Sequence, residues 1–188
     1  MGAQALTNTS DASADEATVT TAKGESNRIK KLLSYNVLDT SAETAYDDLA
    51  AIAAQICGTS ASAVSLIDSG RQWFKAKVGT ELRETPRDIA FCAHAILQPQ
   101  VMIVPDARLD KRFANNPLVV GEPFIRFYAG APIVTPEGYA MGTLCVLDSE
   151  PKTLDAKQIA ALEALARQVA GLLEMRLMLQ QIRKGSDR

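Results

Sequence analysis

Cys92 and His94 are the residues of this chain with the most chemistry to offer, and they stand two positions apart. A thiol at the start of a short helix can have its pKa lowered and become redox-active. His94 is the only histidine in the chain. Residues two apart on a helix do not face the same way, and no second histidine can complete a zinc site. The bland alternative is that Cys92 fills core volume and His94 hydrogen-bonds a backbone group; haem ligation by His94 is a further one. A second group is Asp106, Asp110, Arg112 and Arg126, which can frame a polar ligand. The Arg126 guanidinium can grip a carboxylate or phosphate with two parallel bonds. Its alternative role is an ion pair with Asp106 that pins a loop to a strand. Trp73, Phe91, Phe113 and Tyr128 are the aromatic candidates for lining a cavity, and the competing reading is that they are core. Strand alternation puts Phe127 and Tyr128 on opposite faces, so at most one of them reaches a cavity.

These side chains need elements to hold them. Ile29, Leu32, Leu33 and Val37 recur at helical spacing from about Ser26. Thr40 and Glu43 read as a capping box that opens a second helix, with Tyr46, Leu49, Ile52, Ala53 and Ile56 on one face. Gly58 stands where a left-handed C-terminal residue is wanted. The period then changes to two. Residues 63–67 and 72–78 predict an antiparallel pair about the turn 68–70. Residues 79–87 read as loop, 89–97 as a short helix, 101–104 as a strand and 106–124 as an irregular crossover. Residues 126–133 and 142–148 form a second hairpin around Thr135-Pro-Glu-Gly138. Asp155 with Gln158 caps a long terminal helix. Its apolar positions fall in two neighbouring stripes, Leu162, Leu165, Val169, Leu172 and Ile159, Ala166, Leu173, Leu177. That surface is wider than packing on one sheet requires, and residues 176–179 extend past the expected domain edge, which predicts a homodimer through this helix.

The expected fold is α+β: a central antiparallel sheet of about five to six strands, terminal helices on one face, and loops with a short helix covering a ligand cavity on the other. Residues 1–25, rich in Ala, Thr, Ser and acids, read as a disordered tail; 26–182 read as the domain and 183–188 as a C-terminal tail. The chain has 188 residues, a hydrophobic fraction of 47% and a formal charge of −2. Its cations are dispersed, which excludes a nucleic-acid footprint. No apolar run approaches the roughly 18 residues that span a bilayer, and the start has no apolar signal region. Three cysteines, Cys57, Cys92 and Cys145, at wide spacing argue against a disulfide framework and for a reducing cytoplasm.

Six segments in order carry a resemblance: residues 29–40, Arg71-Gln-Trp-Phe74, Phe91-Cys-Ala-His-Ala-Ile96, Asp106-Ala107 with Asp110 and Arg112-Phe113, Phe127-Tyr-Ala-Gly-Ala-Pro132, and Gly142-Thr-Leu-Cys-Val-Leu-Asp148. Together they resemble one subgroup of GAF domains over about residues 26–182. The resemblance implies a GAF/PAS-like fold and a small-molecule or redox sensor in two-component or cyclic di-GMP signalling. It also implies a homodimer through terminal helices, with a histidine kinase or diguanylate cyclase as output partner. It names no cofactor and no ligand, since one fold serves many signals. Bilin-binding members often carry a Cys followed directly by His, whereas Ala93 intervenes here. The Asn-Lys-Phe-Asp-Glu constellation of cyclic-nucleotide-binding members cannot be traced. Two alternatives stay open: a free methionine sulfoxide reductase of this fold using Cys92, and a dimerisation module with a vestigial pocket.

Overall fold

A computed structural model describes residues 22–186. Six strands, β1 (Ala61–Ile67), β2 (Arg71–Val78), β3 (Glu84–Pro86), β4 (Met102–Val104), β5 (Phe127–Val134) and β6 (Ala140–Asp148), form one sheet in the order β3-β2-β1-β6-β5-β4. Every neighbouring pair is antiparallel. Helices α1 (Ala22–Ser34), α2 (Thr44–Cys57) and α5 (Ala156–Ser186) cover one face. Two short helices, α3 (Phe91–Ala95) and α4 (Pro117–Val120), lie with loops on the other. The expected α+β architecture is the one observed.

Strand alternation divides the buried side chains into two cores. Val64, Leu66, Phe127, Ile133, Leu144 and Val146 face the long helices and meet Leu162, Ala166, Val169 and Leu173 of α5. Ala63, Tyr128, Cys145 and Leu147 face the short ones. The core-facing stripe of α5 thus draws one residue in turn from each of the two expected stripes. The exposed stripe on α5 lies elsewhere, at Met175, Met178, Leu179 and Ile182. That is the i, i+3, i+4, i+7 spacing of one helical face.

Helix boundaries follow the local chemistry where it is local. Gly58 closes α2 at φ 61°, its N–H reaching back to the last turn. The Asp155–Gln158 box forms in both directions, at 2.8 and 2.9 Å. The Thr40–Glu43 box does not. The Thr40 hydroxyl donates to the Val37 carbonyl instead. Glu43 precedes α2 as its cap without a side-chain cap bond, because its carboxylate is taken by Lys75 Nζ at 2.6 Å and Arg176 Nη1 at 2.8 Å.

Lys75 is the unpaired residue of a bulge in β2, where the register steps from Val64–Ala76 to Ser65–Phe74. Its side chain is fully buried on the helix side and also reaches Thr40 and the Ser41 carbonyl. Arg176 further donates to the carbonyls of Tyr35 and Asn36, and Gln180 pairs with the same two residues. Residues 176–180, read from the sequence as extending past the domain edge, are therefore bonded to the segment after α1.

At the N-terminus α1 begins at Ala22, four residues before the expected start. Glu25 is bound into it by ion pairs to the buried Arg28 and to Arg87. The tail expectation for residues 1–21 lies outside the described residues, as does that for 187–188. The expected C-terminal tail is helical through Ser186. The loop 79–87 contains the short strand β3, which its polar sequence concealed. Among the described residues, no helix is long and apolar enough to cross a membrane.

Candidate functional site

A cavity of about 260 Å³ lies between the sheet and the crossover. Its wall includes Ala63, Gln72, Phe74, Tyr128, Cys145 and Leu147 from the strands, and Phe91, Cys92, Leu118, Pro123 and Ile125 from the cover. The strands make room by presenting small groups here. Gly130 shows how closely this is fitted. A Cβ at that position would stand 2.1 Å from the Tyr128 hydroxyl oxygen, so only glycine lets the tyrosine ring lie along β5.

The cover is held by backbone-directed bonds. Asn116 caps α4 through Leu118 N–H and donates to the Ile89 carbonyl. Phe91 stacks on Phe113 at 4.0 Å and leans on Tyr128 at 5.2 Å. On the sheet side a buried chain of neutral bonds runs from Ser65 Oγ to Gln72 Oε1 (3.0 Å) and from Gln72 Nε2 to Thr85 Oγ1 (3.1 Å). Among the described residues the sole charged side chain on the wall is Asp148, which accepts from Ser60 N–H and faces Lys152. Among the described residues no Arg, Lys or His lines the cavity.

Of the residues singled out from sequence, Phe91, Cys92 and Tyr128 come together on this wall. Phe113 stands one layer behind Phe91. Trp73 is on the opposite face, because its cross-strand partner Leu66 points to the helices and paired residues share a face. His94 packs edge-on to Phe113 and borders a separate cleft with Arg87 and Asp88. Burial, helped by Arg112, holds its pKa below the usual value. Asp106 pairs with Arg108 at 2.6 Å rather than with Arg126. Arg126 donates to the carbonyls of Val119 and Ile125 and braces α4. Neither frames the cavity.

The residue missed is Cys145. Its Sγ lies 3.8 Å from that of Cys92. The Tyr128 hydroxyl donates to Cys92 Sγ at 3.3 Å and approaches Thr143 Oγ1 at 3.5 Å. Burial pushes the Cys92 thiol up, but bonds with Cys145, Ser65, Thr143 and Tyr128 outweigh it and hold the pKa below the ordinary thiol range. The cause expected from sequence, a helix start, is not the one at work. Cys145 is pushed well above its ordinary value by its bond with Cys92 and by burial. Alternation could have told that Cys145 shares a face with Ala63, opposite which it pairs; nothing in the sequence places α3 over it. Cys57 is buried on the helix side, far from this pair. Among the described residues no cluster of His, Cys, Asp or Glu could hold a metal ion.

Comparison with known proteins adds four likenesses. The family model for the GAF domain matches residues 41–173. A cyclic di-GMP phosphodiesterase of Pseudomonas aeruginosa is 46% identical over 134 residues, 71% of this chain. The match spans only 23% of that protein's length. Among solved structures, the GAF domain of an Acinetobacter phosphoenolpyruvate-protein phosphotransferase superposes with a TM-score of 0.59 at 14% identity, covering 82% of this chain and 98% of that one. The type II free methionine-R-sulfoxide reductase of Thermoplasma acidophilum does so at 0.55 and 15%, covering 70% and 94%. At such identities the two structures share the fold alone.

Proposed function

The chain belongs to the GAF domain family, and from that premise we propose that it is a sensing domain which holds a small uncharged molecule and reports it through paired terminal helices. The observation that carries this reading is the cavity between sheet and crossover, whose described wall holds no cation. A phosphate or carboxylate buried there would find no cation, and an unpaired buried charge is strongly disfavoured. The chain Ser65–Gln72–Thr85 can exchange hydrogen bonds with an uncharged polar group, while Phe74, Phe91 and Leu118 take the apolar remainder. The output is assigned to cyclic di-GMP or two-component signalling, in keeping with the activity named for the Pseudomonas relative. The exposed stripe on α5 is the surface for a second copy of this helix.

Reduction of free methionine sulfoxide is favoured by one observation, the approach of Cys92 to Cys145. The same lack of a cation on the wall stands against it, since a zwitterionic amino acid would leave its carboxylate without a partner. Native mass spectrometry against the denatured mass tests the leading reading. One retained uncharged molecule per subunit of a dimer is the expected result. A bare monomer that no neutral metabolite stabilises against heat would overturn it. Replacing Leu179 and Ile182 by Glu should convert the dimer to monomer and leave the cavity occupied.

A further inference from the structure

The sensing reading leaves the two sulfurs on the cavity wall unused. Cys92 comes from the cover and Cys145 from β6, both are free thiols, and both line the cavity. A disulfide is about 2.05 Å long, so from 3.8 Å the sulfurs need to close by roughly 1.7 Å. Their surroundings differ in kind. Cys92 Sγ accepts a hydrogen bond from the Tyr128 hydroxyl at 3.3 Å, which stabilises a thiolate. Cys145 donates to the Ala63 carbonyl at 3.6 Å, a bond that favours its protonated form. A thiol that ionises readily beside one that does not suits an attacking and a resolving cysteine.

We propose that Cys92 and Cys145 form a dithiol oxidised by a neutral hydroperoxide entering the cavity, with Cys92 attacking and Cys145 resolving. The Cys92 thiolate attacks one peroxide oxygen and the O–O bond breaks. The leaving alkoxide takes up the proton that Cys92 lost and departs as alcohol, or as water from hydrogen peroxide itself. Cys92 is then a sulfenic acid. The Cys145 sulfur displaces its hydroxyl, the S–S bond forms, and the Cys145 proton leaves with that hydroxyl as water. Two thiols lose two electrons and two protons, and one hydroperoxide becomes one alcohol and one water. A wall without a cation favours this oxidant class over free methionine sulfoxide, whose carboxylate would go unpaired. The proposal deepens the sensing reading by naming a chemical input at the same cavity. Its readout, the state of the thiols, does not depend on whether a neutral ligand is also retained.

The test uses the full chain, reduced and then freed of reductant. It is treated with one equivalent of hydrogen peroxide or of free methionine sulfoxide, alkylated, and mapped by mass spectrometry. The expected result is a dithiothreitol-reversible Cys92–Cys145 crosslink from peroxide, with Cys57 still reduced. Cys145→Ser should stop at a dimedone-trappable sulfenic acid on Cys92. Cys92→Ser should slow peroxide consumption by about tenfold or more, and Cys57→Ser should match the parent. Oxidation of Cys57 as fast as Cys92, or thiols inert until the chain unfolds, overturns the proposal. Faster crosslinking by methionine sulfoxide overturns the oxidant assignment. Should either serine variant fail to fold, the crosslink map of the parent chain alone still decides.

Discussion

The two faces of one sheet are built from the same strands to opposite ends. On the helix side Leu66, Leu144, Val146 and Phe127 fill the space completely, each at 0% exposure. On the other side the intervening residues are Ala63, Ser65, Thr143, Cys145 and Gly130, mostly small or polar, and a cavity remains. Stability comes chiefly from the first face and chemistry from the second. The comparison teaches that a period-two strand can separate the two demands residue by residue.

Leu144→Ala sharpens that contrast most. Truncation in the packed face should cost about 2–5 kcal/mol. Cys145→Ala, one residue on and facing the void, should cost only about 1 kcal/mol. Equal losses in denaturant unfolding would break the distinction.

Gly130→Ala comes next, at about 1–3 kcal/mol, through overpacking against Tyr128. Adding Tyr128→Phe removes the closest clashing atom and should restore part of the loss in a double-mutant cycle.

Thr85→Val should cost about 1 kcal/mol by leaving the Gln72 amide donor unmatched. It should also weaken retention of any neutral occupant in native mass spectrometry.

The smallest effect belongs to neither face. Burial raises the Glu25 carboxyl, but Arg28 and Arg87 lower it further, to about 2 from an ordinary 4.5. A depressed folded-state pKa contributes stability that is fully present above 4.5 and lost as pH falls through about 2. Solvent reaches this group, so the contribution should stay under about 1 kcal/mol. Unfolding midpoints measured across that window should lose their Glu25-dependent slope in Glu25→Gln.

Much of this architecture was legible in the sequence because it rests on neighbours. Gly58, the Asp155–Gln158 box and the two hairpins depend on residues within a few positions of each other, and all formed as read. The misreadings share a different cause. Glu43 left its capping box for cations from β2 and α5. Trp73 took the face of its cross-strand partner Leu66. Cys145 met Cys92 only because the cover folds back over the sheet. Alternation separates the two faces of a strand, but it does not say which face will lie under the helices. Nor does it say what will be laid on the other. The site is therefore the part of the fold that local pattern describes least.

The bulge in β2 puts two functions on consecutive residues. Phe74 borders the cavity, and Lys75 reaches through to the Glu43 carboxylate that also clamps Arg176 of the terminal helix. A bulge is where a strand bends most easily. On the sensing reading proposed above, an occupant that tilts Phe74 would turn Lys75 about the same pivot. In mechanical terms the bulge would then serve as a rocker arm, its short end in the cavity and its long end pinned to α5.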